Sequence, residues 1–259
     1  MTKSFQKPSE AISWSKKSML DCGYVVKTEK WQGIEAPDSM WEKLNHSFCF
    51  MTPHTREELV SEIKPNLPWA DDHFEERVSD QPLNPPPSNE WWPFNQKKNA
   101  QFKTKEKFSH TYPERIWPKY ASEESYHIMR GIRYNYGDFN SVLELLRREP
   151  YTRQAYLPMW FPEDTGSDHG ERVPCSLGWH FIRRGDYLHI NYYIRSCDFI
   201  RHFRDDIYLA CRKLHWVLEN LKMRDPDGWN SVTPGWFTMH ITSLHCFNSE
   251  KGLLKLAKT

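Results

Sequence analysis

The chain has 259 residues, with 35 Lys+Arg against 34 Asp+Glu and a formal charge of +1. A folded chain of this length buries roughly 70–75% of its unfolded surface, so a core forms without disulfide or metal staples. The balanced charge argues against a polyanion binder, and so against direct nucleic-acid binding, but leaves room for a small phosphorylated ligand gripped by a few arginines. The N-terminal stretch MTKSFQKPSEAISWSKK lacks the apolar segment of a signal peptide, and no run approaches the ~18–20 apolar residues of a membrane span. Leu44–Met51 (LNHSFCFM) is a candidate strand. Residues 82–93 (PLNPPPSNEWWP) hold five prolines and cannot be a helix interior or a central strand. The interleaved Trp91, Trp92 and Phe94 point to packing or a ligand surface rather than a flexible linker.

Composition changes near residue 130, from a Pro- and Trp-rich, irregular first part to a region of sharper periodicity. Asp138 caps a helix reaching about Arg148, with Phe139, Val142, Leu143 and Leu146 on one stripe and Pro150 as the stop. Gln154–Trp160 reads as a strand. Val173–Arg183 and Tyr187–Arg195 flank the hairpin turn Arg184-Gly185-Asp186, and Leu188, Ile190, Tyr192 and Ile194 alternate with His189, Asn191 and Tyr193. A long helix runs from about Phe199 to Leu221, its apolar residues stepping by three and four, until Asp225-Pro226-Asp227-Gly228 ends it. A further strand, Trp236–Thr242, leads into Ser243-Leu244-His245. This order predicts a single α+β domain with helices over one face of a sheet.

Chemistry concentrates in three places. Cys175 follows Pro174 early in a strand, Arg195-Ser196-Cys197-Asp198 stands where a strand hands over to the long helix, and Asp205-Asp206 follows one turn into that helix. A strand end beside a helix N-terminus suits an anion, and Arg195 and Ser196 would add hydrogen bonds to phosphate oxygens. Cationic neighbours such as Arg195 are expected to lower the Cys175 pKa. Asp206 lies beside the apolar stripe, so it reads as a functional carboxylate, whereas Asp205 reads as solvated. The six cysteines are scattered without a C-x-x-C pair, as reduced thiols of a cytoplasmic protein would be, and no metal site is expected.

Pro174-Cys175, the Arg195-Ser196-Cys197-Asp198 block before a long helix, Arg153 before a strand and Ser243-Leu244-His245 together resemble the thymidylate synthase superfamily over about residues 131–250. Asp206 falls where thymidylate synthases carry a base-reading Asn and the phage-type deoxycytidylate hydroxymethylases an Asp, so the likeness is closer to the latter. The resemblance implies a mixed sheet covered by helices and a homodimer formed through the sheet. It implies 5,10-methylenetetrahydrofolate as co-substrate, a DNA-modifying phage setting in the host cytoplasm, and conversion of dCMP to 5-hydroxymethyl-dCMP. Cys175 is then the nucleophile that adds to C6, Tyr112 the active-site tyrosine, and a glutamate the proton shuttle: Glu76 in His73-Phe74-Glu75-Glu76-Arg77-Val78, with Glu75 and Glu90 as rivals. Trp91, Trp92 and Glu76 would meet the folate; Arg195, Ser196, Asp198, Asp206 and His245 would hold the nucleotide. Arg153 and Gln154 would grip the phosphate from a partner subunit.

The chain departs from the family at several points. Gln154 replaces a second arginine, Ser176 follows the nucleophile in place of His, and Phe247 stands where a sugar-binding Tyr is usual. Arg201-His202 replaces a small Gly-containing segment, and Lys27 or Lys30 would stand in for the N-terminal phosphate arginine. Two rivals remain. One is a thymidylate synthase or hydroxymethylase acting on dUMP. The other is a non-catalytic nucleotide or nucleic-acid binding module, suggested by the tryptophans with Gln96-Lys97-Lys98 and Arg147-Arg148. A cysteine hydrolase is weaker still, because no His is placed as a base for Cys175.

Overall fold

The structure is a computed structural model, and it describes residues 2–31, 34–94, 103–118, 138–165 and 172–256. The composition change near residue 130 and the Gln96-Lys97-Lys98 run lie outside these residues. The first part contributes β1 (Lys3–Phe5), α1 (Pro8–Cys22), β2 (Tyr24–Val26), the hairpin β3 (Lys30–Trp31) and β4 (Ile34–Glu35), then β5 (Met40–Met51). There follow α2 (Arg56–Ile63), α3 (Trp69–Val78), the hairpin β6 (Lys103–Thr104) and β7 (Lys107–Phe108), and α4 (Tyr112–Ile116). The second part holds α5 (Phe139–Arg148), β8 (Tyr156–Pro158), β9 (Ser176–Arg184), β10 (Tyr187–Asp198) and α6 (Phe203–Arg224). It ends with α7 (Pro226–Trp229), β11 (Thr233–Phe247) and α8 (Lys251–Leu256).

Strands of both parts form one seven-stranded sheet, ordered β1-β5-β11-β10-β9-β8, with β2 also paired to β5. It is mixed. β10 and β11 are parallel, as are β1 and β5, while β5–β11, β9–β10 and β8–β9 are antiparallel. The architecture is therefore α+β, with strands from the supposedly irregular first part completing the sheet.

Alternation decides which face is covered. Phe48, Phe50, Phe237, Met239, Ile190, Tyr192 and Phe181 are buried against the helices, whereas Ser47, Cys49, Thr238, His240, Asn191 and Tyr193 are only half-buried on the opposite face. On α6 the buried residues Phe203, Ile207, Ala210, Leu214, Val217 and Leu221 trace the stripe expected of a helix lying on a sheet. Asp138 caps α5 through its side chain, which accepts from the Ser141 N–H at 3.1 Å.

Element boundaries shift where tertiary partners act. β5 starts at Met40, because Met40–Glu42 pair with both β2 and the end of β11. The helix expected from Phe199 begins at Phe203, because the Asp198 carboxylate takes the N–H groups of Ile200 and Arg201, each at 2.9 Å, and holds the chain in a turn. β11 runs on to Phe247, absorbing Ser243-Leu244-His245 into the sheet. The edge strand expected over Gln154–Trp160 pairs only at Tyr156–Pro158. β9 begins at Ser176, after Pro174, which has no N–H for a ladder.

Phe237 packs against Phe48 and Phe50, with ring centroids 6.2 and 4.9 Å away, at the centre of the buried face. Phe237→Ala should cost about 3–5 kcal/mol. A urea unfolding series should show a large fall in midpoint with little change in slope.

Candidate active site

The parallel pair β10–β11 sets the site. Parallel strands need a crossover, here α6, so the chain leaves β10 at one end of the sheet and begins the helix there. In α/β folds ligands gather at such carboxyl strand ends. Ser196, Cys197 and Asp198 lie beside Ser243, Leu244 and His245, and His245 lies beside Glu42 of β5. On the other side of β10 the register with β9 slips between Tyr193 and Ile194, a bulge that brings Cys175, just ahead of β9, against Arg195. The Arg195 N–H donates to the Cys175 carbonyl at 2.9 Å.

These ends open into a cavity of about 670 Å³. Cys175, Tyr112, Arg195, Ser196, Asp198 and Asp206 line it, as do His245 and Trp92. Glu76, Glu75, Glu90, Trp91, Arg153 and Gln154 do not. Glu76 instead accepts from the N–H and O–H of Ser88, both at 2.5 Å, and faces His73. Glu75 pairs with Arg212 at 3.2 Å, Glu90 is exposed, and the exposed Trp91 donates to Asp72. Arg153 and Gln154 lie exposed beside the edge strand β8, where the Arg153 carbonyl accepts from His180. Lys27 is exposed and lines no part of the cavity.

Arg195 clamps the loop before Cys175. Its Nε donates to the Pro174 carbonyl at 2.9 Å and its Nη2 to that of Val173 at 3.2 Å. Burial nevertheless pushes the Cys175 thiol above its ordinary range, and Arg195 and Arg172 only offset part of that rise. The lowering expected from cationic neighbours is present but outweighed. Tyr112, its own hydroxyl raised by burial, accepts from the N–H and O–H of Ser176 at 3.3 and 3.1 Å, and Ser176 Oγ lies 2.7 Å from the Tyr192 hydroxyl.

The carboxylates differ in what holds them. Asp198 accepts from two backbone N–H groups and from Arg201 Nη1 at 2.9 Å, while Arg201 also grips Glu250 and lies 5.1 Å from the Phe247 ring. Asp205 is buried, not solvated, and accepts from the Asn66 N–H and Nδ2 at 2.9 and 2.8 Å. Glu42 accepts from Ser243 Oγ at 2.5 Å. Among the described residues the Asp206 carboxylate is bonded only to a thiol, Cys197 Sγ at 3.5 Å, and burial pushes its carboxyl up to about 7 against the pull of Arg77. Asp205 and Asp206 occupy the first turn of α6, so this N-terminus already serves its own carboxylates.

Three cavity residues carry signals that the sequence reading passed over. Arg172 precedes Cys175 by three positions, and its field reaches the thiol. His73 and Arg77 stand one helical turn apart on α3 with Trp69 a turn before, a helix stripe that is polar and aromatic instead of apolar.

Among the described residues no group of His, Cys, Asp and Glu could hold a metal ion, and no helix is long and apolar enough to cross a membrane. No family model and no curated protein matches the sequence. The fold is similar to that of the thermostable thymidylate synthase A from Bacillus subtilis, with a TM-score of 0.66 and 13% identity over 97% of this chain and 83% of that one. The chain has a thymidylate synthase-like fold.

Proposed function

We propose that the chain transfers a one-carbon unit to C5 of a pyrimidine deoxynucleoside monophosphate, converting dCMP to 5-hydroxymethyl-dCMP. What carries the reading is Cys175: among the described residues it is the one cysteine lining the cavity, with Arg195, Arg172 and Asp206 around it. The thiolate adds to C6, the electrons of the C5–C6 double bond move toward C5, and C5 becomes the nucleophile. Arg195 and Arg172 favour the thiolate, Tyr112 stands beside it, and Ser196 and His245 line the same cavity, where Ser196 would meet the phosphate and His245 the sugar. An ionised Asp206 accepts from the N4 amino group of cytosine; opposite uracil it would meet O4, acceptor against acceptor, a buried mismatch worth about 1–3 kcal/mol.

5,10-Methylenetetrahydrofolate would supply the one-carbon unit. The wall suits a planar heterocycle: Trp69 and Trp92 line the cavity, and their indole N–H groups have no partner among the described residues. One face of Trp92 already stacks on His202 at 5.0 Å. The half-buried sheet face, with His240 stacked on Tyr193, would be covered by a second copy of the chain, each copy lending Arg153 and Gln154 to the other's cavity.

One observation favours a second reading, in which dUMP is the substrate. With its carboxyl at about 7, Asp206 holds a proton in a good fraction of molecules near neutrality, and a neutral acid donates to O4.

Incubation with methylenetetrahydrofolate and either dCMP or dUMP, followed by mass spectrometry, separates these readings. A gain of a hydroxymethyl group on dCMP is expected; stoichiometric dihydrofolate from dUMP would establish a synthase instead. Cys175→Ser should abolish tritium release from C5, and Asp206→Asn should move the preference from dCMP toward dUMP.

A further expectation concerns pH. Because burial raises the Cys175 thiol, alkylation of the free protein by iodoacetamide should climb with pH through and beyond the ordinary thiol range, about 8.5. Arg195→Met removes a lowering influence, so it should slow alkylation of Cys175 at pH 8, read by peptide mass mapping.

A further inference from the structure

Arg77, on α3, is 5% exposed and lines the cavity. Its Nε and Nη2 both point at Nε2 of His73, at 3.2 and 2.8 Å, and its guanidinium lies 4.3 Å from the centre of the Tyr112 ring. An arginine only donates, so Nε2 of His73 is the bare nitrogen and Nδ1 carries the hydrogen. That N–H faces Glu76 and Ser88, at 3.3 and 3.1 Å. Burial, with Arg77 beside it, takes His73 down to about 4, which keeps the ring neutral and this tautomer in place. Glu76, Ser88 and His73 thus form a backing layer that aims the guanidinium.

Among the described residues the remaining N–H groups of Arg77 have no acceptor, and no carboxylate lies within ion-pair reach of it. Asp206 lines the same cavity, feels the charge of Arg77, and carries spare acceptors, since its one donor among the described residues is the Cys197 thiol. A buried cation with spare donors and a carboxylate with spare acceptors, near each other yet not bonded, form an unfinished hydrogen-bond set. Buried polar groups are seldom left so. A ligand that presents a donor next to an acceptor completes the set.

We infer that Arg77 is a specificity-determining residue that reads the pyrimidine together with Asp206: Asp206 accepts from the N4 amino group of cytosine while Arg77 donates to N3. This rests on the pyrimidine reading proposed above. Acceptor beside donor is the order in which guanine meets cytosine. Uracil in the same register puts O4 against the carboxylate and N3–H against the guanidinium, two mismatches instead of one.

The test is calorimetric titration of the full chain with dCMP, dUMP and the base-free 2-deoxyribose 5-phosphate, comparing wild type with Arg77→Met and Arg77→Lys. Arg77→Met should weaken dCMP binding by about tenfold or more and leave 2-deoxyribose 5-phosphate unchanged, with Arg77→Lys in between. The base-free ligand doubles as a check that the variant is folded. Binding of dCMP by Arg77→Met within about twofold of wild type overturns the inference. So does a parallel loss of both ligands, or wild-type binding of dUMP as tight as of dCMP. A wild-type chain that binds none of the three overturns the pyrimidine reading itself, and the inference with it.

Discussion

The parallel pairing of β10 with β11 is the constraint on which the rest depends. An antiparallel neighbour could have been reached by a short turn, whereas a parallel one obliges the chain to cross the sheet, and α6 does so. The start of α6 is thereby fixed over the strand ends that carry Asp198 and His245, and Asp205 and Asp206 come with it. Asp198 makes the corner. By accepting from Ile200 and Arg201 it spends the last residue of the strand on turning the chain, so the helix starts late and its first turn faces the cavity.

Burial, more than proximity of opposite charge, governs the electrostatics of this cavity. The Cys175 thiol rises despite two arginines, and Cys197, deeper and beside Asp206, rises further. Lys213, further along α6 and wholly buried over the Trp179 ring at 4.3 Å, falls well below its ordinary value. A neutral amine on an aromatic face is far cheaper to bury than a bare ammonium. The carboxylates obey the same logic. Burial raises Asp205 although Asn66 donates to it twice, and it takes Asp206, bonded among the described residues only to a thiol, up to about 7. Its ionisation state is therefore open to whatever enters the cavity.

The second half of the chain was largely legible because its strands and helices are one-sided. Leu188, Ile190, Tyr192 and Ile194 alternate with polar residues, the α6 stripe repeats at helical spacing, and Asp138 and Gly185 punctuate as their chemistry requires. Gly185, at φ 55°, takes a turn conformation that a side chain would resist. The first half was not legible in this way. Met40–Lys43 have too little alternation to declare a strand, and their pairing comes from β2 and β11, partners far away in sequence. The same divide runs through the site. Cys175, Arg195, Asp206 and His245 lie just ahead of β9, on β10, in the first turn of α6 and on β11, segments with clear local patterns. The α3 wall, by contrast, depends on how a helix rolls onto the sheet. The resemblance implies a glutamate here, Glu76 with Glu75 and Glu90 as rivals, yet the packing turns Arg77 inward and leaves Glu76 to hold Ser88 and His73.

Two of the positions that depart from the resembled pattern meet in one cluster. Arg201 and Phe247 are 46 positions apart in sequence, yet the guanidinium of one lies 5.1 Å from the ring of the other while it pairs with Asp198 and Glu250. An arginine held by two carboxylates already has its charge answered, and the flat guanidinium is weakly enough hydrated to rest on an apolar ring. A phenylalanine suits that contact without a hydroxyl to satisfy. This cluster also takes up the Asp198 carboxylate, so Asp198 shapes its end of the cavity through Arg201 and the turn it holds, while Asp206 keeps open acceptors among the described residues. The two ends of the cavity thus differ: one is closed by ion pairs within the protein, and the other holds a carboxylate and a guanidinium that are not bonded to each other.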